Sequence, residues 1–348
     1  MSAVATPLPT RRIAWMRGLV ILAALLALLA ATEAILQLAV SSLTPRVFQD
    51  DASARVLRLA PGAHVHAHMF GREIQVEVDT QGLRRTVAAA AATPPSGAGV
   101  AVRTLHVVGD SQVFGWGLSD EETIPSQIQT ALGAGWRVLN HGVPGYGPTQ
   151  YRIVLGGVPV DEPVLLVLTE DNDLWDSYDI ARAGSYCGYM SDGSAARWSL
   201  PCALLGTRVL QTWLSWRAQS PVQPTPLGFS STNTVAARVA SSRLRRWIAA
   251  ERAVRGDRLT VTVVPWRGRI DSALRAAYFP PADAADRTEL WPDDCGMRER
   301  LGAESGGASL YLPEDSHLSA RGAALLARAA GLCLARRGVA PAGRGGGA

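Results

Sequence analysis

The longest apolar stretch of the chain comes first. Residues Gly18 to Ala31 carry no polar side chain, and after Thr32 and Glu33 the apolar run resumes at Ala34. From residue 13 to about residue 35 the segment is long enough to cross a bilayer, which takes about 20 residues. Arg11, Arg12 and Arg17 flank its near end, which places residues 1–12 in the cytoplasm by the positive-inside rule. Everything beyond about residue 40 is then expected on the far side, periplasmic or extracellular. The competing reading is a cleaved signal peptide. No clean Ala-x-Ala site follows the apolar run, so a retained anchor over 13–35 is preferred.

Beyond the anchor the pattern shortens. Residues 43–100 read as a lead-in with short strands. Gln75-Val76-Glu77-Val78-Asp79 alternates as a half-exposed strand does, and Ala88 to Gly99 is an Ala/Pro/Gly loop. From residue 101 strands and helices alternate. Strands are expected at 103–108, 136–139, 164–169 and 259–264. Helices are expected at 123–132, with Pro125 in the first turn, at 235–254, and at 320–335 with Ser319 as its cap. This βα alternation predicts an α/β domain over 101–335 with a parallel sheet covered on both faces. Residues 177–230 fit no period and read as an insertion. The tail 336–348 is Gly/Pro-rich and expected to be disordered.

Composition narrows the chemistry. All 34 basic residues are arginine, and the net charge is +4. The absence of lysine excludes Schiff-base and pyridoxal-phosphate mechanisms, a P-loop lysine and a Ser-Lys dyad. The arginines are scattered without interleaved aromatics, so no nucleic-acid partner is expected. None of the four cysteines, Cys187, Cys202, Cys295 and Cys333, forms a Cys-x-x-Cys pair, which argues against a zinc ribbon or thioredoxin-like site. Outside the cytoplasm they can form disulfides. Three pairings are open, and Cys187–Cys202 is the local one.

The strand at 103–108 ends abruptly in Gly109-Asp110-Ser111. In an open α/β sheet ligands bind at the carboxyl ends of strands. A serine there becomes a nucleophile only if a base takes its proton. Glu314-Asp315-Ser316-His317, just ahead of the last helix, offers that base. His317 would be oriented by Asp315, with Glu314 as the alternative carboxylate. Oxyanion donors are expected at the ends of the next two strands: in Asn140-His141-Gly142-Val143-Pro144-Gly145-Tyr146-Gly147, and at Asn172 within Glu170-Asp171-Asn172-Asp173.

These four blocks, in this order and at these strand ends, resemble the SGNH (GDSL-type) hydrolase superfamily across about residues 103–335. The stretches GDSQVFGWGLSDEETIPSQIQTAL and VLNHGVPGYGPTQY are similar to a membrane-anchored branch of it, as is the lead-in around Pro61, Gly71 and Gly82-Leu83-Arg84. The resemblance implies a three-layer α/β/α sandwich (flavodoxin-like) with a five-stranded parallel sheet. It further implies Ser111 as nucleophile, His317 as base, and an oxyanion hole of the Ser111 and Gly145 N–H groups and the Asn172 side chain. The chain departs from the family pattern at Glu170, where a glycine is usual, and in its Asp-x-His spacing.

Other residues carry weaker signals. His64, His66 and His68 would share one face of a strand, which invites a metal. No further ligand is placed to complete such a site, so none is expected. Trp116, His141, Tyr146 and Trp175 flank the proposed site as possible substrate contacts, and Trp266 could line the cleft. His106 reads as a hydrogen-bonded core residue, and Asp110 and Asp173 as loop-holding carboxylates. The expected activity is a serine esterase or O-acyltransferase that needs no cofactor. Its substrate would be an acylated carbohydrate or small ester of the cell envelope. The alternative is a catalytically inactive, carbohydrate-binding or assembly protein of the envelope.

Overall fold

The computed structural model describes residues 10–39, 47–51, 56–87, 102–170, 173, 234–265, 267, 291–303, 310–313 and 315–340. Helix α1, Thr10–Ala39, contains the apolar segment: Ala14–Leu36 has a mean hydropathy of 2.6 and is long and apolar enough to cross a membrane. Its large side chains, Leu22, Leu25 and Leu29 among them, are exposed within the chain itself.

The lead-in forms two antiparallel pairs. Strand β1 (Phe48–Asp51) pairs with β2 (Val56–Leu59), and β3 (His64–Met69) with β4 (Arg72–Glu77). The strand expected at 75–79 thus begins three residues earlier and ends at Glu77. The β3–β4 hairpin turns through Phe70 and Gly71, both at positive φ. Ala67, Met69, Ile74 and Val76 face inward and are buried. His64, His66 and His68 line the other face, opposite Glu77, Gln75 and Glu73.

The larger unit is built on a four-stranded parallel sheet. Its strands are β5 (Arg103–Gly109), β6 (Trp136–Gly142), β7 (Val164–Thr169) and β8 (Leu259–Val264), in the order β6-β5-β7-β8. The chain is α/β, as its alternation predicts, with four sheet strands among the described residues. The helices are α2 (Ser111–Phe114), α3 (Ile124–Leu132), α4 (Pro148–Gly156), α5 (Thr234–Arg255), α6 (Met297–Ala303) and α7 (Ala320–Arg336).

Thr123 and Ser319 cap α3 and α7, accepting from the Ser126 and Gly322 N–H groups, so two of the orphan donors of a helix start are satisfied by side chains. Strand β7 is apolar up to its final Thr169 and buried on both faces, as a central strand of a parallel sheet must be. Val164, Leu166 and Leu168 join one hydrophobic cluster with Tyr151 and Leu155 of α4 and Leu244 and Ile248 of α5. Leu165 and Val167 join the other, with Ile124 and Ile128 of α3 and Leu326 and Ala330 of α7.

The lead-in is attached by charge as well as by packing. Arg84, with a fully buried side chain, donates to Asp120 at 2.8 Å and to the carbonyls of Phe114, Gly115 and Leu118 at 2.7, 2.8 and 2.6 Å. Asp120 also accepts from the Glu77 N–H of β4 at 2.9 Å. Burial opposes the charge on both partners, lowering Arg84 and raising Asp120 from their ordinary pKa values. The carbonyls around the guanidinium offset that cost.

Cys295 and Cys333 are disulfide-bonded, with Cα atoms 5.4 Å apart, and tie the segment before α6 to α7. Cys187 and Cys202 lie outside the described residues, as does the proposed insertion 177–230. The tail departs from expectation over its first residues. Val339 and Ala340 are buried, and the Val339 carbonyl accepts from Arg103 at 2.8 Å.

Candidate active site

Ser111 opens α2 directly beyond β5. Asp110 caps this one-turn helix: its Oδ1 accepts from the Gln112 N–H and from Thr169 Oγ1, each at 2.9 Å. The turn is sharp because two glycines let backbones touch. A Cβ on Gly109 would strike Val113 and the Val167 carbonyl, and one on Gly142 would strike the backbone of Val113 and Phe114. Gly142 of the Asn140–Gly147 block therefore seats α2 against the end of β6.

His317 arrives from the far end of the chain, in a tight loop between Tyr311 and α7. Tyr311 and Leu318 form an antiparallel bridge, and the Leu312 N–H bonds the His317 carbonyl at 2.8 Å. His317 Nε2 lies 2.8 Å from Ser111 Oγ. On its other side, Nδ1 bonds Asp315 Oδ1, which also accepts from the His317 N–H at 2.7 Å.

A carboxylate only accepts, so the ring proton sits on Nδ1 and Nε2 is left to accept from the serine hydroxyl. Partial burial alone would raise the Asp315 carboxyl. The facing His317 ring, its hydrogen bonds and nearby Arg267 outweigh that and hold it below its ordinary value. Asp315 is therefore ionised at neutral pH. Asp315 is the carboxylate bonded to His317; Glu314 lies outside the described residues.

Gly145, the expected second oxyanion donor, lies in the loop that follows β6, at positive φ. That loop is held beside the end of β5: Val143 N–H donates to the Gly109 carbonyl at 3.3 Å, and Tyr146 N–H to the Val143 carbonyl at 3.1 Å. Asn172 falls outside the described residues. The described residues before and after it are Glu170 and Asp173. Glu170 is buried at the end of β7, its N–H bonded to the Val264 carbonyl at 3.0 Å. Asp173 accepts from the Thr169 N–H and from Tyr151 Oη, both at 2.7 Å. Asp110 and Asp173 thus both hold loops.

The possible substrate contacts separate. The Trp116 ring is centred 6.2 Å from the His317 ring, at the edge of the site. Tyr146 packs into the hydrophobic cluster with Tyr151. The His141 ring turns to His106, stacked at 5.0 Å with Nε2 to Nδ1 at 2.9 Å. Burial, with the His106 ring beside it, lowers its pKa to about 3. It is a neutral partner of a core histidine, not a second base. His106 is 5% exposed and bonded to Glu162 at 2.5 Å. Trp175 and Trp266 lie outside the described residues.

Two residues that carry the site give no local sequence signal. Gln112 binds both sides of the histidine loop: Nε2 donates to the Ser316 carbonyl, and Oε1 accepts from the Leu318 N–H, each at 3.0 Å. Arg267 donates to the Leu312 and Asp315 carbonyls, each at 3.0 Å. Among the described residues no group of three or more His, Cys, Asp or Glu is placed to hold a metal ion. On the histidine face of β3, His68 bonds Glu73 at 3.0 Å and His64 faces Glu77 at 3.4 Å.

Neither protein-family models nor curated proteins give a match to this chain.

Proposed function

We propose that the protein is a membrane-anchored serine esterase or O-acyltransferase of the SGNH type, acting on an extracytoplasmic ester. The observation that carries this reading is the continuous hydrogen-bonded chain from Ser111 Oγ through His317 to Asp315, at the carboxyl end of the sheet. The residues and their order are those a nucleophilic serine needs. Helices packed over two separate apolar clusters support the three-layer α/β/α arrangement that the sequence resemblance implies.

In the proposed reaction Ser111 Oγ attacks the ester carbonyl while His317 Nε2 takes the hydroxyl proton. Asp315 holds the ring in the productive tautomer and stabilises the imidazolium. The oxyanion is received by the Ser111 and Gly145 N–H groups and the Asn172 amide. The intermediate collapses with His317 returning the proton to the leaving alcohol, which leaves acyl-Ser111. His317 then deprotonates the second acceptor, and Ser111 is regenerated. Water as acceptor makes an esterase; a sugar hydroxyl makes a transferase. Among the described residues Trp116 is the aromatic ring that lies beside His317, although it is mostly buried.

The apolar helix α1 supports an anchor, and the arginines before it support a cytoplasmic N-terminus with the catalytic unit outside. The buried Cys295–Cys333 disulfide supports the same placement, because such bonds persist in oxidising compartments. An acylated envelope glycan or a small ester is the proposed substrate class. The test is hydrolysis of p-nitrophenyl acetate by the detergent-solubilised full chain, with and without a polysaccharide acceptor. Acetyl appearing on the acceptor by mass spectrometry assigns a transferase; acetate alone assigns an esterase. Wild-type turnover in Ser111→Ala would sink both.

A further inference from the structure

Gln112 is 4% exposed and follows Ser111 in α2. Its amide nitrogen donates to the carbonyl of Ser316 and its amide oxygen accepts from the N–H of Leu318. Those two backbone groups flank His317. One four-residue helix therefore carries both the hydroxyl at one end of the Ser111–His317 bond and a two-point clamp on the loop at the other end.

A primary amide suits this clamp because it donates and accepts at the same time without charge. The helix itself is held from the other side, where Asp110 receives the Gln112 N–H. We infer that Gln112 is a positioning residue that sets the distance and orientation of His317 relative to Ser111. The inference rests on the proposed serine-nucleophile reading.

A misplacement of about 1 Å in such a pair costs on the order of 100-fold in rate. Leucine at this position removes both bonds. Glutamate has the same shape, and when ionised it keeps the bond to Leu318 N–H but turns a second acceptor towards the Ser316 carbonyl. Once protonated, a carboxylic acid donates and accepts as the amide does. That gives the Gln112→Glu variant a signature that a loss of packing does not have: its rate relative to wild type rises as the pH falls.

The test uses the full chain in detergent. The second-order rate of fluorophosphonate labelling of Ser111, and kcat and KM on p-nitrophenyl acetate, are measured between about pH 5 and 10. Melting curves accompany each protein. Gln112→Leu is expected to label about 10- to 100-fold more slowly, with KM within about twofold of wild type. Gln112→Glu is expected to be slow above its own ionisation, which burial raises, and to recover towards wild type below it.

Labelling of both variants within about threefold of wild type at every pH overturns the inference, as does a pH-independent ratio for Gln112→Glu. If Gln112→Leu unfolds, the isosteric Gln112→Glu profile decides alone. Wild-type protein that labels normally beside unaffected variants removes only the clamp. Wild-type protein that does not label at Ser111 removes the serine nucleophile and the clamp with it.

Discussion

Among the described residues of the parallel-sheet unit two histidines bond a carboxylate, and the two differ in what their other ring nitrogen meets. His317 bonds Asp315, and His106 bonds Glu162 at 2.5 Å. Each histidine has a second partner on its far nitrogen, at 2.8 Å for His317 and 2.9 Å for His106. For His317 that partner is a serine hydroxyl at the end of a strand, beside a glycine-rich loop. For His106 it is another imidazole, His141, held neutral by burial. A carboxylate orients either ring equally well. What the oriented ring can do is decided by whether a transferable proton and space for a substrate meet it.

The sharpest way to break this comparison is to neutralise each carboxylate in turn. Asp315→Asn should lower kcat by about 10⁴-fold, because the amide favours the wrong tautomer of His317. Glu162→Gln should leave kcat within about twofold and cost about 1–3 kcal/mol of stability, read as a shifted urea midpoint. A large loss of turnover in Glu162→Gln would erase the distinction. A third carboxylate, Asp120, is more deeply buried than these two and extends it. Arg84→Met leaves Asp120 without its guanidinium and should cost about 3–5 kcal/mol. An Arg84→Met protein that melts with the wild type would mean the lead-in is not anchored by that pair.

The last comparison is a pH slope. His141 titrates below its ordinary value in the folded chain, so the unfolded chain binds its proton first as the pH falls. Its stabilising contribution is complete above about pH 6.5 and is lost through the window from there down to about 3. Unfolding midpoints should fall across that window, and His141→Gln should flatten the fall. An unchanged slope in His141→Gln would place the acid sensitivity elsewhere.

How much of this can be read from residues alone depends on the range of each contact. The strand ends at Gly109 and Thr169, the capped starts of α3 and α7, and Ser111, Asp315 and His317 all announce themselves locally. An apolar run that stops at Gly-Asp-Ser is such a pattern, and so is Asp-x-His before a capped helix. The partners that hold these residues do not. Gln112 meets Ser316 across 204 positions, Arg267 meets Asp315 across 48, and Arg84 meets Asp120 across 36. In sequence each reads as an ordinary surface polar residue.

The lead-in shows the same limit. Its alternation predicts strands, but not that Arg84 clamps the carbonyls at the end of α2. His141 stands beside the glycine-rich loop in sequence, and only the structure shows its ring paired with His106.

The most direct measurement is active-site labelling. The full chain in detergent is treated with a fluorophosphonate, digested, and its peptides are read by mass spectrometry. The account predicts one phosphonylated residue, Ser111, with labelling abolished in His317→Ala and in Ser111→Ala. Unlabelled wild-type protein, or labelling that survives Ser111→Ala at the same rate, would contradict it.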